Sequence, residues 1–168
     1  MSETQQIQDA HKRPLGIESF MSAADLREYM DKIAMAHAHE AVEAMEKADL
    51  AKQELAKRLA QPIEMTPEKI REIEDGLKVK LRAAAERGET ELMVMRFPNT
   101  LCTDHGRAIN NTLDGWPDTL TGRPRQAYEL WRDLLKPAGF GFAAMIVDWP
   151  RGMPGDVGLF LTWGGARG

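Results

Sequence analysis

A single cysteine, Cys102, stands in the 168 residues, which excludes an internal disulfide and a zinc site built from several thiolates. Stability must come from burial. No run of about 18 apolar residues occurs, so no membrane-spanning helix and no membrane partner are expected. The opening MSETQQIQDAHKRPLG is polar where a signal peptide needs an apolar stretch of about 7 to 15 residues, so the expected location is cytoplasmic. Positive charge is also scarce: the formal net charge is −4, and residues 91–168 carry eight acidic and eight basic side chains. Nucleic-acid binding relies on a positive field that displaces counterions from phosphates, so this balance argues against a nucleic-acid partner. No serine follows Ser22, and no serine nucleophile elbow is present. The glycines of RGMPGDVG match neither the phosphate-loop spacing nor the dinucleotide fingerprint, and read as a hairpin loop. No cofactor and no metal are expected.

The length suits one good core with an appendage. Residues 1–20 lack periodicity and read as a flexible lead-in. At Ser22 a hydroxyl, followed three residues later by Asp25, forms a helix-start signal, and a helical arm is expected over residues 21–62, ending near Ala60. Leu26, Met30, Ile33, Ala41, Met45, Ala48, Leu55 and Leu59 recur at helical spacing along it, with alanine dominating the middle. Such a helix forms easily, because alanine has the highest helix propensity and pairs such as Glu43 with Lys47 support the wet side. Its thin apolar face needs a partner, as a coiled coil or a docking helix.

Residues 63–168 read as a compact α+β domain. Thr66 and Pro67 start a second helix whose Ile70, Ile73, Leu77, Leu81 and Ala84 share one face, and Gly88 suits its closing turn. Gly76, inside that helix, reads as a site of close helix contact. From Glu91 the period shortens: ELMVMRF, FGFAAMIVDW and VGLFLTW each read as strands. Short and longer helices are expected near residues 104–111 and 123–136. The expected order is α-α-β-α-α-β-β around a small mixed three-stranded sheet. A crossover of more than forty residues allows the first two strands to pair in parallel, and the short loop after Trp149 folds the third back as a hairpin. Parallel pairing would place Arg96 beside Asp148 on one rim. Trp116, Trp131, Trp149 and Trp163 are expected mostly in the core, with Trp116 and Trp149 the two most exposed. Both faces of the second and third strands look apolar: Phe142 and Ile146 mark one side, Met145 and Val147 the other.

The same rim gathers the candidate site. Loops 97–107 and 148–156 would bring together Asp104, His105, Arg107, Asp148, Arg151 and Asp156, outside the carboxyl ends of the strands where sites tend to sit. The guanidinium forks of Arg107 and Arg151 would suit a small anionic ligand, with Asp104, His105 or Asp156 moving protons. The competing reading is turn chemistry, with Asp104 as a helix cap. Cys102, three residues before His105, is a candidate nucleophile if the thiol is activated there, and a small hydrophobe if it is buried. His37 and His39 lie two apart on a helix, on nearly opposite faces, and cannot share a metal ion as an i, i+4 pair would.

The functional expectation is a non-enzymatic interaction or regulatory protein whose arm, residues 22–60, binds a second copy of itself or a protein partner. The alternative is a small enzyme or anion-binding module that uses the two rim loops.

Overall fold

A computed structural model describes residues 20–165. The expected flexible lead-in, except for Phe20, lies outside the described residues. The chain divides into two compact units, one through Leu50 and one from Ala51. Among the described residues no helix is long and apolar enough to cross a membrane.

Helix α1 spans Ala23–Ala60. Its start is reciprocally capped: the Asp25 amide donates to the Ser22 hydroxyl at 3.0 Å, and the Ser22 amide donates to the Asp25 carboxylate at 3.4 Å. The wet face carries spaced pairs, among them His39 Nε2 and Glu43 at 2.9 Å and Lys32 with Glu28 at 3.9 Å. Leu59 is the only residue of α1 that is buried.

Leu59 belongs to the core of the second unit, with Phe97, Leu101, Cys102, Ile109, Leu120, Val157 and Leu159. The turn after α1 is held in place by side chains of helix α4 (Gly122–Leu130). Gln126 accepts from the Ile63 amide at 3.0 Å and donates to the Ile63 carbonyl at 2.6 Å, and Arg123 Nε donates to the Gln61 carbonyl at 3.1 Å. Gly122 lies so close to the Leu59 carbonyl and Ala60 that a Cβ there would collide with backbone. Its φ of 60° adds a second demand for glycine.

Helix α2 (Pro67–Glu86) begins where Thr66 Oγ1 accepts from the Lys69 amide at 3.1 Å. It closes with Gly88 at φ 78°, as the Glu89 amide returns to the Ala84 carbonyl at 3.0 Å. Gly76 makes no close helix contact: a Cβ there would meet nothing within 4 Å.

The sheet comprises β1 (Glu91–Phe97), β2 (Gly141–Ile146) and β3 (Val157–Thr162). It is antiparallel throughout, in the order β1-β3-β2, which corrects the expected mixed sheet. β1 and β2 run in the same direction but do not touch as a pair, because β3 turns back from β2 and inserts between them. Cross-strand partners put Phe97, Val157 and Ile146 on the core face, with Met95, Leu159 and Ala144 beside them. On the opposite face Met93 and Met145 are each 44% exposed. Gly158 leaves room there for Val147, Phe160 and Met93, whose atoms a Cβ would meet at 2.7, 2.8 and 3.2 Å.

Between β1 and β2 the chain forms α3 (Arg107–Asn110), a 3-10 turn at Trp116–Thr119 and α4, which continues into a π-helical turn at Trp131–Leu135. The short helix starts three residues later than the sequence suggested, since Gly106 takes a left-handed conformation at φ 83°. Trp131 and Phe142 stack at 5.2 Å between ring centroids, and Trp116 meets Tyr128 edge-on at 6.1 Å. Trp116 thus packs against the core rather than standing exposed, whereas Trp149 is 53% exposed.

Candidate functional site

The rim forms where β1 and β2 end and β3 begins. Because both outer strands run against β3, their carboxyl ends flank its first residue. Arg96, at the end of β1, uses Nη2 to reach Asp148 at 3.2 Å and Nε to reach Asp156 at 3.0 Å. The other Asp148 oxygen accepts from the Asp156 amide, and the Gly155 amide donates to the Asp148 carbonyl at 3.0 Å. The two loops meet directly: Asn99 Nδ2 donates to the Pro154 carbonyl at 2.9 Å. The proximity of Arg96 and Asp148 inferred from the sequence is present, bridged by Asp156 rather than by a parallel strand pair.

The remaining rim residues divide by environment. Asp104 accepts from the Gly106 amide at 3.0 Å and the Ala108 amide at 2.7 Å, so its carboxylate satisfies free donors at the start of α3. His105 and Arg107 are exposed, and so is Arg151; His105 and Arg151 sit in left-handed backbone at φ 56° and 53°. Three carboxylates and the guanidinium groups of Arg96, Arg107 and Arg151 leave the rim without a net charge to attract an anion. Asp148 and Asp156 already share one guanidinium, and Asp104 is committed to backbone.

Cys102 lies in the core at 2% exposure, in an isolated bridge with Leu120. Burial pushes its thiol up to about 11, and the nearby Asp104 charge adds to the effect. The thiolate needed by a nucleophile is therefore suppressed at neutral pH. Among the described residues no group of three or more His, Cys, Asp and Glu side chains could hold a metal ion.

No protein-family model, no curated protein and no solved structure matches this chain. Chemistry must be read from its own geometry.

A second concavity lies away from the rim, between α2, the core face of the sheet and α4 with its π turn. It is about half open to solvent and holds about 350 Å³. Its walls are mainly apolar, with Ile73 and Leu77 from α2, Val94 from β1, Phe142 from β2, and Leu130 and Trp131 opposite. Glu72, Lys80, Arg123 and Gln126 are the polar residues in the wall. Sequence reasoning missed this space because it looked for chemistry in polar loops. The available signal was Gly76, a helix-weakening residue beside the apolar stripe of α2.

Proposed function

We propose that the chain is a non-enzymatic interaction protein that associates with a second copy of itself through α1. The observation that supports this is the apolar stripe of that helix: Leu26, Met30, Ile33, Met45 and Leu55 are all at least one-third exposed. A 38-residue helix with these side chains along one side, joined by alanines through its middle, offers an association surface, since ordinary monomer surfaces scatter their apolar residues singly.

Charge selects the arrangement. Residues 23–46 carry six acidic and two basic side chains, and residues 47–60 carry two acidic and four basic. Two copies laid antiparallel bring residues 47–60 of each, with four basic and two acidic side chains, onto residues 23–36 of the other, with three acidic and two basic; a parallel pair would set like charges together along the whole helix. The two-fold axis of such a pair falls near Ala41, where Ala41, Ala44 and Ala48 allow close approach of the backbones. The rim reading gains no comparable support, because its carboxylates are engaged in structural bonds and its thiol is held protonated.

Size-exclusion chromatography with light scattering on the full chain tests the proposal. Twice the chain mass is expected for the wild type, and the single mass for the variant M30E/I33E with helix content by circular dichroism retained. A wild-type chain that stays at single mass up to high micromolar concentration defeats self-association. If the single mass rises only when a foreign helical protein is added, the arm is a heterotypic docking helix instead.

A further inference from the structure

We infer that the cavity between α2, the sheet and α4 binds a small amphiphilic carboxylic acid, with its apolar body inside and its carboxylate between Lys80 and Arg123. At about 350 Å³ the space lies at the small end of ligand pockets, which run from about 300 to 1,000 Å³. That size admits one compact apolar body rather than a cofactor or a peptide segment.

Three independent features of the wall point to an occupant. The first is Gly76. It lines the cavity beside Ile73 and Leu77, at the exposed edge of the apolar stripe of α2 and in the middle of a 20-residue helix. Glycine there weakens the helix by about 1 kcal/mol relative to alanine. No steric need offsets that loss, since a Cβ would meet nothing within 4 Å, and its φ is ordinary. What the missing side chain leaves is open space at the exposed edge of the cavity. The second is the π-helical turn at Trp131–Leu135, both ends of which line the cavity. Trp131, its first residue, stacks on Phe142, and the indole N–H is fixed on the Phe140 carbonyl at 2.9 Å. Such single turns recur at functional sites.

The third is charge. Glu72, the one carboxylate of the wall, is paired with Lys69 at 3.6 Å. Among the described residues no carboxylate lies within ion-pair distance of Lys80 or Arg123. Arg123 donates its Nε to the Gln61 carbonyl, which anchors the side chain and holds its charge at the wall. An apolar cavity whose wall carries two cations without a carboxylate partner among the described residues, and one carboxylate already paired with Lys69, complements a molecule with an apolar body and one negative end.

Octanoate and 3-phenylpropionate, with octanamide as the neutral control, are the probes, titrated into the full chain while Trp131 fluorescence and the melting temperature are followed. A carboxylate is expected to quench or enhance the fluorescence saturably and to raise the melting temperature by mass action. Octanamide should bind more weakly. The variant K80Q should lose up to about fivefold in carboxylate affinity and nothing in octanamide affinity. The variant G76L should fold with an equal or higher melting temperature and lose about tenfold or more for every probe, because its side chain occupies the space. Octanamide binding as tightly as octanoate overturns the anionic end, and unchanged binding by G76L overturns the location. Absence of any saturable response to all three probes overturns the inference altogether. None of these readings depends on whether α1 self-associates, so the two proposals fail separately.

Discussion

Leu59 and Met30 lie on one apolar stripe of one helix, and their truncation to alanine separates the core packing of α1 from its proposed association. Leu59 is 9% exposed within the core cluster, and Met30 is 59% exposed. Leu59→Ala removes a buried isobutyl group and leaves a cavity in the core cluster that rigid neighbours only partly close. The expected loss is about 2.5 to 4 kcal/mol, the transfer free energy of the removed carbons plus the cavity contribution. Met30→Ala removes an exposed side chain from a helix that alanine favours, so the single chain should change by less than about 0.5 kcal/mol. Urea unfolding monitored by the four tryptophans, all of which follow α1 in sequence, measures both. At low protein concentration only Leu59→Ala should shift the midpoint. At high concentration Met30→Ala should also cost stability, because association adds to the wild type a contribution that grows with concentration. A Leu59→Ala loss below about 1 kcal/mol would remove the last turn of α1 from the core. A Met30→Ala loss that persists undiminished on dilution would mean that the stripe is covered within a single chain, and the argument for a second copy would fail.

Three further expectations concern the second unit. The Cys102 thiol is held near 11 against an ordinary 9.0, so the folded state keeps a proton that the unfolded chain releases first. Its contribution is complete below pH 9 and is lost as the pH rises toward 11, and Cys102→Ala should abolish that part of the pH dependence of unfolding; an identical alkaline slope in the variant refutes it. Arg96→Ala breaks two partly exposed ion pairs and should destabilise by about 1 kcal/mol, with the difference shrinking in high salt; a loss unaffected by salt would show that the guanidinium acts by packing alone. Gly76→Ala should raise stability by about 1 kcal/mol in the same urea assay, and a decrease would mean that the α2 backbone there is strained in a way that its dihedrals do not record.

Where the sequence carried local signals, it was readable. Ser22 with Asp25, Thr66 with Pro67, and Gly88 each mark a helix end by a mechanism confined to four or five residues, and each occurs where expected. The strands were legible as short apolar runs bounded by proline and glycine, and the α+β class followed from their order. The sheet order was not legible, because the length of the β1–β2 crossover limits which strands can be parallel without saying which are neighbours. Trp116 was misjudged for a related reason: a tryptophan before a proline at the end of an element suggests exposure, but its surroundings are set by Tyr128 and Phe142, which are distant in sequence. The rim residues could be named from loop composition, whereas their partners could not. The cavity was hidden because its walls come from five segments, each of which alone looks like ordinary core.

The central place of β3 accounts for both the rim and the cavity. A strand in the middle has both backbone edges paired, so it can carry the most apolar sequence without leaving bonds unmade. Val157, Leu159 and Leu161 are at most 1% exposed, and no residue of β1 except Phe97 is so deeply buried. Once β3 takes that position, β1 and β2 share a direction, and Arg96 and Asp148 arrive on either side of Asp156. The charges at the rim then neutralise one another across three strands, and an incoming anion would have to compete with two carboxylates for Arg96. In the cavity the order is reversed: among the described residues neither Lys80 of α2 nor Arg123 of α4 lies within ion-pair distance of a carboxylate. An anion there displaces no carboxylate, which is why the ligand inference belongs under α2 and not at the polar loops where composition alone would place it.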